Sequence, residues 1–226
     1  MNNINGIKYF THKRKGAEAC GDIVYICDNE HVKIYSLADC IKSEIKSIEG
    51  AKYIQQKLAE YILDVPEKIF LDEELFKANC IAIIGEAIHV YSKYHHIGEN
   101  EIASTLMMII IWKRNNLARW IHVGDGIILT LQKNKIDILS RPQNSVSKQY
   151  TFCTTSKNLM RYMHIENFNE YEKIIMMTDG GMHYLYEDSH FTLKGEKLLI
   201  EGIESIKRYL DNQLVSDDYS MMEVVL

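Results

Sequence analysis

The stretch Ile174-Ile175-Met176-Met177-Thr178-Asp179-Gly180-Gly181 constrains the fold of this chain most. A run this apolar and this short predicts a strand buried on both faces, Lys173 to Thr178. The run ends abruptly at Asp179, and Gly180 and Gly181 let the backbone turn sharply there. A carboxylate at the mouth of a buried strand costs free energy unless a positive group faces it. A metal ion is one candidate for that group; a turn aspartate open to water is the other reading.

The remaining elements suggest what surrounds this strand. Ile4 to Thr11 predicts a first strand, followed by a polar loop from His12 to Cys20. Ile23 to Cys27 and His31 to Ala38 read as strands around the turn signal Asp28-Asn29-Glu30. An antiparallel hairpin with its turn near Glu30 places Asp22 opposite Asp39. Two carboxylates side by side resist joint ionisation unless a cation bridges them. Helical spacing predicts helices over Glu44 to Leu63 and Glu73 to Tyr94, with Gly50-Ala51 marking close packing. Four strands follow as an antiparallel meander: Ser104 to Trp112, Ala118 to Val123, Ile127 to Gln132 and Lys135 to Leu139. Their turns fall at Asn115-Asn116, at Gly124-Asp125-Gly126 and at Asn134. A loop over Ser140 to Lys148, a short helix over Ser156 to Met163, a helix over Gly195 to Gln213 and a last strand to Leu226 complete the chain. This order predicts an α+β fold with antiparallel sheets covered by helices.

Composition narrows the function. A chain of 226 residues, 46% hydrophobic and 25% charged, suits one globular domain over 1–226. Pro66 and Pro142 are its only prolines, so no proline-rich linker divides it. A net charge of -5 gives no reason to expect nucleic acid or an anionic membrane as partner, and Lys13-Arg14-Lys15 is too short to change that. The longest apolar run, Leu106 to Trp112, is far too short to span a bilayer, and residues 1–10 carry no signal-peptide core. Five cysteines without CxxC spacing suit reduced thiols and a cytoplasmic protein.

Five aspartates share one property: Asp22, Asp39, Asp125, Asp179 and Asp217 each lie at a predicted strand end or corner. If the strand before Asp179 pairs antiparallel with the last strand, Asp179 and Asp217 also meet. One sheet edge then gathers four acidic groups with no matching basic cluster. An all-oxygen site of that kind suits Mg2+ or Mn2+ better than Zn2+. Two such ions about 3.5–4 Å apart can activate a water for in-line attack on phosphorus. No G-x-S-x-G elbow and no P-loop is present.

In order, the chain carries Gly21-Asp22, Leu37-Ala38-Asp39, Ala103-Ser104-Thr105, His122-Val123-Gly124-Asp125-Gly126, Met177-Thr178-Asp179-Gly180-Gly181 and Ser216-Asp217-Asp218-Tyr219-Ser220. This series resembles the metal-dependent type 2C serine/threonine protein phosphatases, especially their small bacterial members. The resemblance implies a four-layer sandwich of two antiparallel β-sheets flanked by antiparallel helices. It further implies two or three Mn2+ or Mg2+ ions and hydrolysis of phosphoserine and phosphothreonine in a phosphoprotein, the product of a Ser/Thr kinase. By that resemblance Asp39 bridges the two core metals, Asp179 and Asp217 hold one, and the backbone carbonyl of Cys40 reaches the other. Asp22 acts through metal-bound water, Asp125 stands near a third metal, and Asp218 ranks below Asp217.

The chain departs from the family pattern at four places. Gly21 stands where an acidic residue is usual, and Ala17 where an arginine grips phosphate; Lys13, Arg14 or Lys15 are the available substitutes. Cys40-Ile41-Lys42 replaces a glycine-rich turn, and His183 replaces an acidic residue. These departures keep a second reading open: a phosphatase-fold module of weak or no activity that binds a protein partner in regulation.

Overall fold

The computed structural model describes residues 1–4, 6–42, 44–114, 117–144, 151–169 and 172–225. The turn expected at Asn115-Asn116, residues 145–148 of the expected loop and the terminal Leu226 lie outside the described residues.

Two antiparallel sheets stack face to face. The five-stranded sheet runs β3 (Asp22–Asp28), β4 (Val32–Asp39), β5 (Leu106–Trp112), β6 (Leu117–Val123) and β9 (His164–Phe168). The six-stranded sheet runs β1 (Asn2–Ile4), β2 (Ile7–His12), β13 (Tyr219–Val225), β10 (Lys173–Met177), β7 (Ile127–Gln132) and β8 (Lys135–Ser140). Helices α1 (Ile45–Asp64), α2 (Glu67–Leu71) and α3 (Glu73–His95) cover the first sheet. Helices α6 (Leu193–Glu201) and α7 (Ile203–Leu210) cover the second. Between β10 and α6 lie the short helix α5 (Asp179–Met182) and a small hairpin of β11 (Tyr186–Glu187) and β12 (His190–Phe191).

The layers follow from side-chain alternation. In β5, Leu106, Met108 and Ile110 pack under α1 and α3, while Met107, Ile109 and Ile111 face the other sheet. In β10, Ile174 and Met176 face the first sheet, while Ile175 and Met177 pack under α6 and α7. A strand with apolar layers on both sides needs an unbroken apolar sequence, which is the pattern of residues 174–177. Close packing at Gly50 is also present: a Cβ there would lie 2.3 Å from Ile102 Cγ2.

Several elements differ from expectation. The four-strand meander is divided between the sheets: β5 and β6 belong to one, β7 and β8 to the other. The chain crosses at Gly124, whose φ of +127° and 2.5 Å approach to Thr105 Cβ exclude a side chain. The first strand is a hairpin of β1 and β2 around Gly6, at φ +84°. The helix expected over Gly195 to Gln213 is two helices broken at Gly202, at φ +104°. The short helix narrows to α4 (Leu159–Tyr162) and leads into β9, an edge strand absent from the sequence prediction. Among the described residues, no helix is long and apolar enough to cross a membrane.

Candidate metal centre

The acidic site lies where both sheets end. Register in the β3–β4 hairpin pairs Asp22 directly with Asp39. In the other sheet β10 pairs antiparallel with β13, Met177 opposite Met221, and with β7, Met177 opposite Ile127. That register brings the segment after β10, the segment before β13 and the Asp125 corner to one edge. Asp179 therefore opens α5, with Thr178 as its N-cap, and Asp217 leads into β13.

A cavity of about 360 Å3 occupies this edge. Asp39, Asp125, Asp179, Asp217 and Asp218 line it, with Arg14 and the Cys40-Ile41 turn on one side. Asp22 stands just behind, 6% exposed, and accepts a hydrogen bond from Thr178 Oγ1 at 2.9 Å. Thr178 also receives one from the Ser220 amide at 2.9 Å, so it joins β3, β10 and β13 at the floor of the site. Thr105 fastens the neighbouring strand end: its Oγ1 accepts from the Asp39 amide and its amide donates to the Asp39 carbonyl, both at 2.8 Å. Asp125 accepts a hydrogen bond from Thr151 Oγ1.

Backbone approach explains the glycines. A Cβ at Gly180 would sit 2.0 Å from the Asp218 carbonyl oxygen and 3.3 Å from Asp217 Cβ. Only glycine lets α5 start against the lead-in to β13, which sets Asp179 beside Asp217.

Burial and mutual repulsion dominate the electrostatics. Burial lifts the Asp22 carboxyl to about 7. Burial, followed by the Asp125 charge, lifts Asp179 to about 6, with His183 opposing. Asp39 is raised well above the ordinary range, first by burial, then by Asp22, Asp179, Asp125 and Asp217. Asp125 is raised by burial while the Thr151 hydroxyl opposes. The Cys40 thiol is likewise pushed up by burial and then by Asp39.

The donor set fits a hard divalent cation. Asp22 Oδ1 and Asp179 Oδ1 are buried without a hydrogen-bond partner among the described residues. The Asp39, Asp125, Asp179 and Asp217 carboxylates face one guanidinium around the cavity, while both Asp218 oxygens accept hydrogen bonds from backbone amides. Oxygen donors left unpaired beside like charges are what such a cation satisfies. Among the described residues no three acidic, histidine or cysteine side chains converge on a single point, so the carboxylates form an open acidic wall rather than a closed cage.

Of the three basic candidates, Arg14 alone lines the cavity, its Nη1 3.9 Å from Asp217 Oδ1. Lys13 turns to the Glu18 carbonyl at 3.4 Å. Ala17 faces a neighbouring depression that also contains Arg14. The sequence alone does not reveal the parts of Thr178 and Thr105. Their signal was a hydroxyl residue beside each motif aspartate or strand end, recognisable only once the strands are paired.

A family model described as Protein phosphatase 2C matches residues 11–214. No curated protein sequence matches the chain at a significant level. Among solved structures, the chain is similar to the serine/threonine phosphatase Stp1 from Staphylococcus aureus: 13% identity, 100% of this chain and 96% of that one, TM-score 0.67. It is also similar to RsbX in complex with magnesium, at 15% identity, 98% and 96% coverage and TM-score 0.61. PppA, described as a regulatory component of the T6SS in Pseudomonas aeruginosa, aligns at 11% identity, 97% and 97% coverage and TM-score 0.68.

Proposed function

The chain belongs to the protein phosphatase 2C family, and from that premise we propose that it hydrolyses phosphoserine and phosphothreonine in proteins with Mn2+ or Mg2+. The observation that carries this reading is the meeting of Asp39, Asp125, Asp179 and Asp217 around one cavity at the shared edge of the two sheets. Asp39, Asp179, Asp217 and the Cys40 carbonyl would hold two ions, Asp22 would act through water, and Asp125 would serve a third. When bound, the ions would supply an activated water and neutralise charge on the phosphoryl group. The chain's own residues do the rest. Thr178 and Thr105 fix the strand ends that carry the carboxylates. Arg14, which lines the cavity, would grip phosphate in the role left open by Ala17. The substrate would be a phosphoprotein made by a serine/threonine kinase. Five free cysteines suit a cytoplasmic setting for a single domain over 1–226.

A second reading, a phosphatase-fold module that binds a protein partner with little or no turnover, rests on one contact. Arg14 leans on Asp217 across an open acidic wall, where it competes with a cation. Hydrolysis of p-nitrophenyl phosphate and a phosphothreonine peptide in Mn2+, Mg2+ or EDTA separates the two. The enzyme reading expects metal-dependent turnover that falls at least about 100-fold in Asp39→Ala and Asp179→Ala. Metal binding by calorimetry without turnover supports the second reading. Unchanged activity in Asp179→Ala would refute the site assignment.

A further inference from the structure

A second cavity, of about 610 Å3, is lined by residues of α1 and α3 and by Val65 and Pro66, where α1 ends. The two helices run antiparallel, Tyr53 meeting Tyr91 at 5.4 Å between ring centres and Tyr61 meeting Phe76 at 6.5 Å. Their inner faces, including Ile54, Leu58 and Ile62 of α1 and Cys80, Ile84 and Ile88 of α3, belong to the core. Their outer faces leave a groove floored by Tyr53, Tyr61, Ile83 and Val90, with Val90 44% exposed. These positions fall at helical spacing on both walls, and the groove ends at Val65 and Pro66, where α1 stops.

The charge on the walls is one-sided. Glu60 and Asp64, one turn apart on α1, and Glu86 on α3 line the groove. Lys57 is the one base among the described lining residues, and its ammonium is already bonded to Glu60 at 2.6 Å. An apolar floor between helices with an acidic rim is complementary to a segment that is apolar on one face and basic along its edges. Tyr53 to Asp64 spans about 17 Å, the length of about three helical turns.

We propose that the α1–α3 groove is a docking site for a basic amphipathic helix of about three turns from a partner protein. Its apolar face would fill the Tyr53–Val90 floor, and its Lys or Arg residues would meet Asp64 and Glu86. This site is separate from the acidic cavity, and the proposal stands whether or not the chain turns over phosphoproteins.

The test uses the full chain and two fluorescein-labelled helical peptides of about fourteen residues. Both carry leucines on one face; one has lysines along the edges, the other glutamates. Fluorescence anisotropy should show saturable, salt-sensitive binding of the lysine peptide alone. Binding should weaken at least about tenfold in Asp64→Lys/Glu86→Lys and in Val90→Asp. All altered side chains are solvent-exposed, and unchanged melting temperatures would confirm intact folding. Equal binding to wild type and both variants, no binding to wild type, or preference for the glutamate peptide would overturn the proposal. So would a dimer, seen by light scattering, that Val90→Asp dissolves, because the groove would then belong to a second copy of the chain.

Discussion

Asp218 accepts hydrogen bonds from the backbone amides of Gly21 and Arg14, each at 2.6 Å, and is 4% exposed. Its neighbour Asp217 has about half its side chain open to the cavity. The pair thus divides the work: one ties the N-terminal loop to the start of β13, the other faces the site. Asp218→Ala leaves two backbone donors unpaired and should lower stability by about 2–4 kcal/mol, read as a shift of the urea midpoint at constant slope. It should also release Arg14, whose amide it holds. A second expectation concerns the metal-free protein. Burial sets Asp22 and Asp179 at about 7 and about 6 when folded, against about 3.9 in an unfolded chain. Between those values the folded state holds more protons than the unfolded one. Their contribution to stability is therefore fully present below the unfolded value and lost as pH rises through 6 to 7. In EDTA the chain should melt at a higher temperature at about pH 5.5 than at about pH 8, and Asp22→Asn should flatten the difference. Burial pushes the His122 imidazole down to about 3, which works the other way over the same range, so the comparison with Asp22→Asn is the readout, and an equal change in that variant would contradict the expectation. The facing of Asp22 and Asp39 was legible in the sequence because hairpin register follows from a turn centre. The part played by Thr178 was not, because it spans three strands distant in sequence.

At the scale of elements, the start of α5 is the tightest junction. A Cβ at Gly180 would meet a backbone oxygen at 2.0 Å, whereas one at Gly181 would come nearest to the terminal Leu210 Cδ1 methyl, at 3.3 Å. Gly180→Ala should therefore cost about 3 kcal/mol or more and weaken divalent-metal binding, while Gly181→Ala should cost about 1 kcal/mol or less. Thermal melts and metal titrations of the two variants check this, and equal effects would show that the Gly180 contact relaxes freely. The strand before this junction was readable because burial on both faces demands an unbroken apolar run. The break between α6 and α7 was not, because Leu199, Ile203, Ile206 and Leu210 keep one apolar stripe across it and periodicity is blind to the φ of Gly202. The split meander escaped for a related reason. Gly124-Asp125-Gly126 is visible as an interruption, but a strand that stays in its sheet and one that crosses to the next show the same alternation. The edge strand β9, with exposed His164, Glu166 and Asn167, carries too little apolar sequence to announce itself.

Across the whole molecule, the carboxylates come from opposite layers. Asp22 and Asp39 end the five-stranded sheet, Asp179 and Asp217 lie at the end of the six-stranded one, and Asp125 sits on the crossing between them. Elsewhere the layers are joined mainly by apolar packing, with Tyr35, Leu37 and Trp120 of one sheet sharing a cluster with Ile128, Met176 and Met222 of the other. The acidic edge is where that packing gives way to repelling charge. A cation bound there would connect both sheets and exist as a site only in the folded state, so it should raise stability by mass action. At a concentration about 100 times its dissociation constant the gain is about 2.7 kcal/mol. For a chain of this length that corresponds to a rise of about 5–10 °C in melting temperature. Mn2+ should produce this rise saturably, and Asp39→Ala should remove it because Asp39 is the cavity-lining carboxylate that the five-stranded sheet contributes. Asp125→Ala should keep most of it, since Asp125 would serve a third ion and not the two that Asp39, Asp179 and Asp217 would hold. Differential scanning calorimetry on the three proteins, each with and without Mn2+, measures this directly. An equal rise in Asp39→Ala would place the ion on some other surface and detach the acidic edge from metal binding.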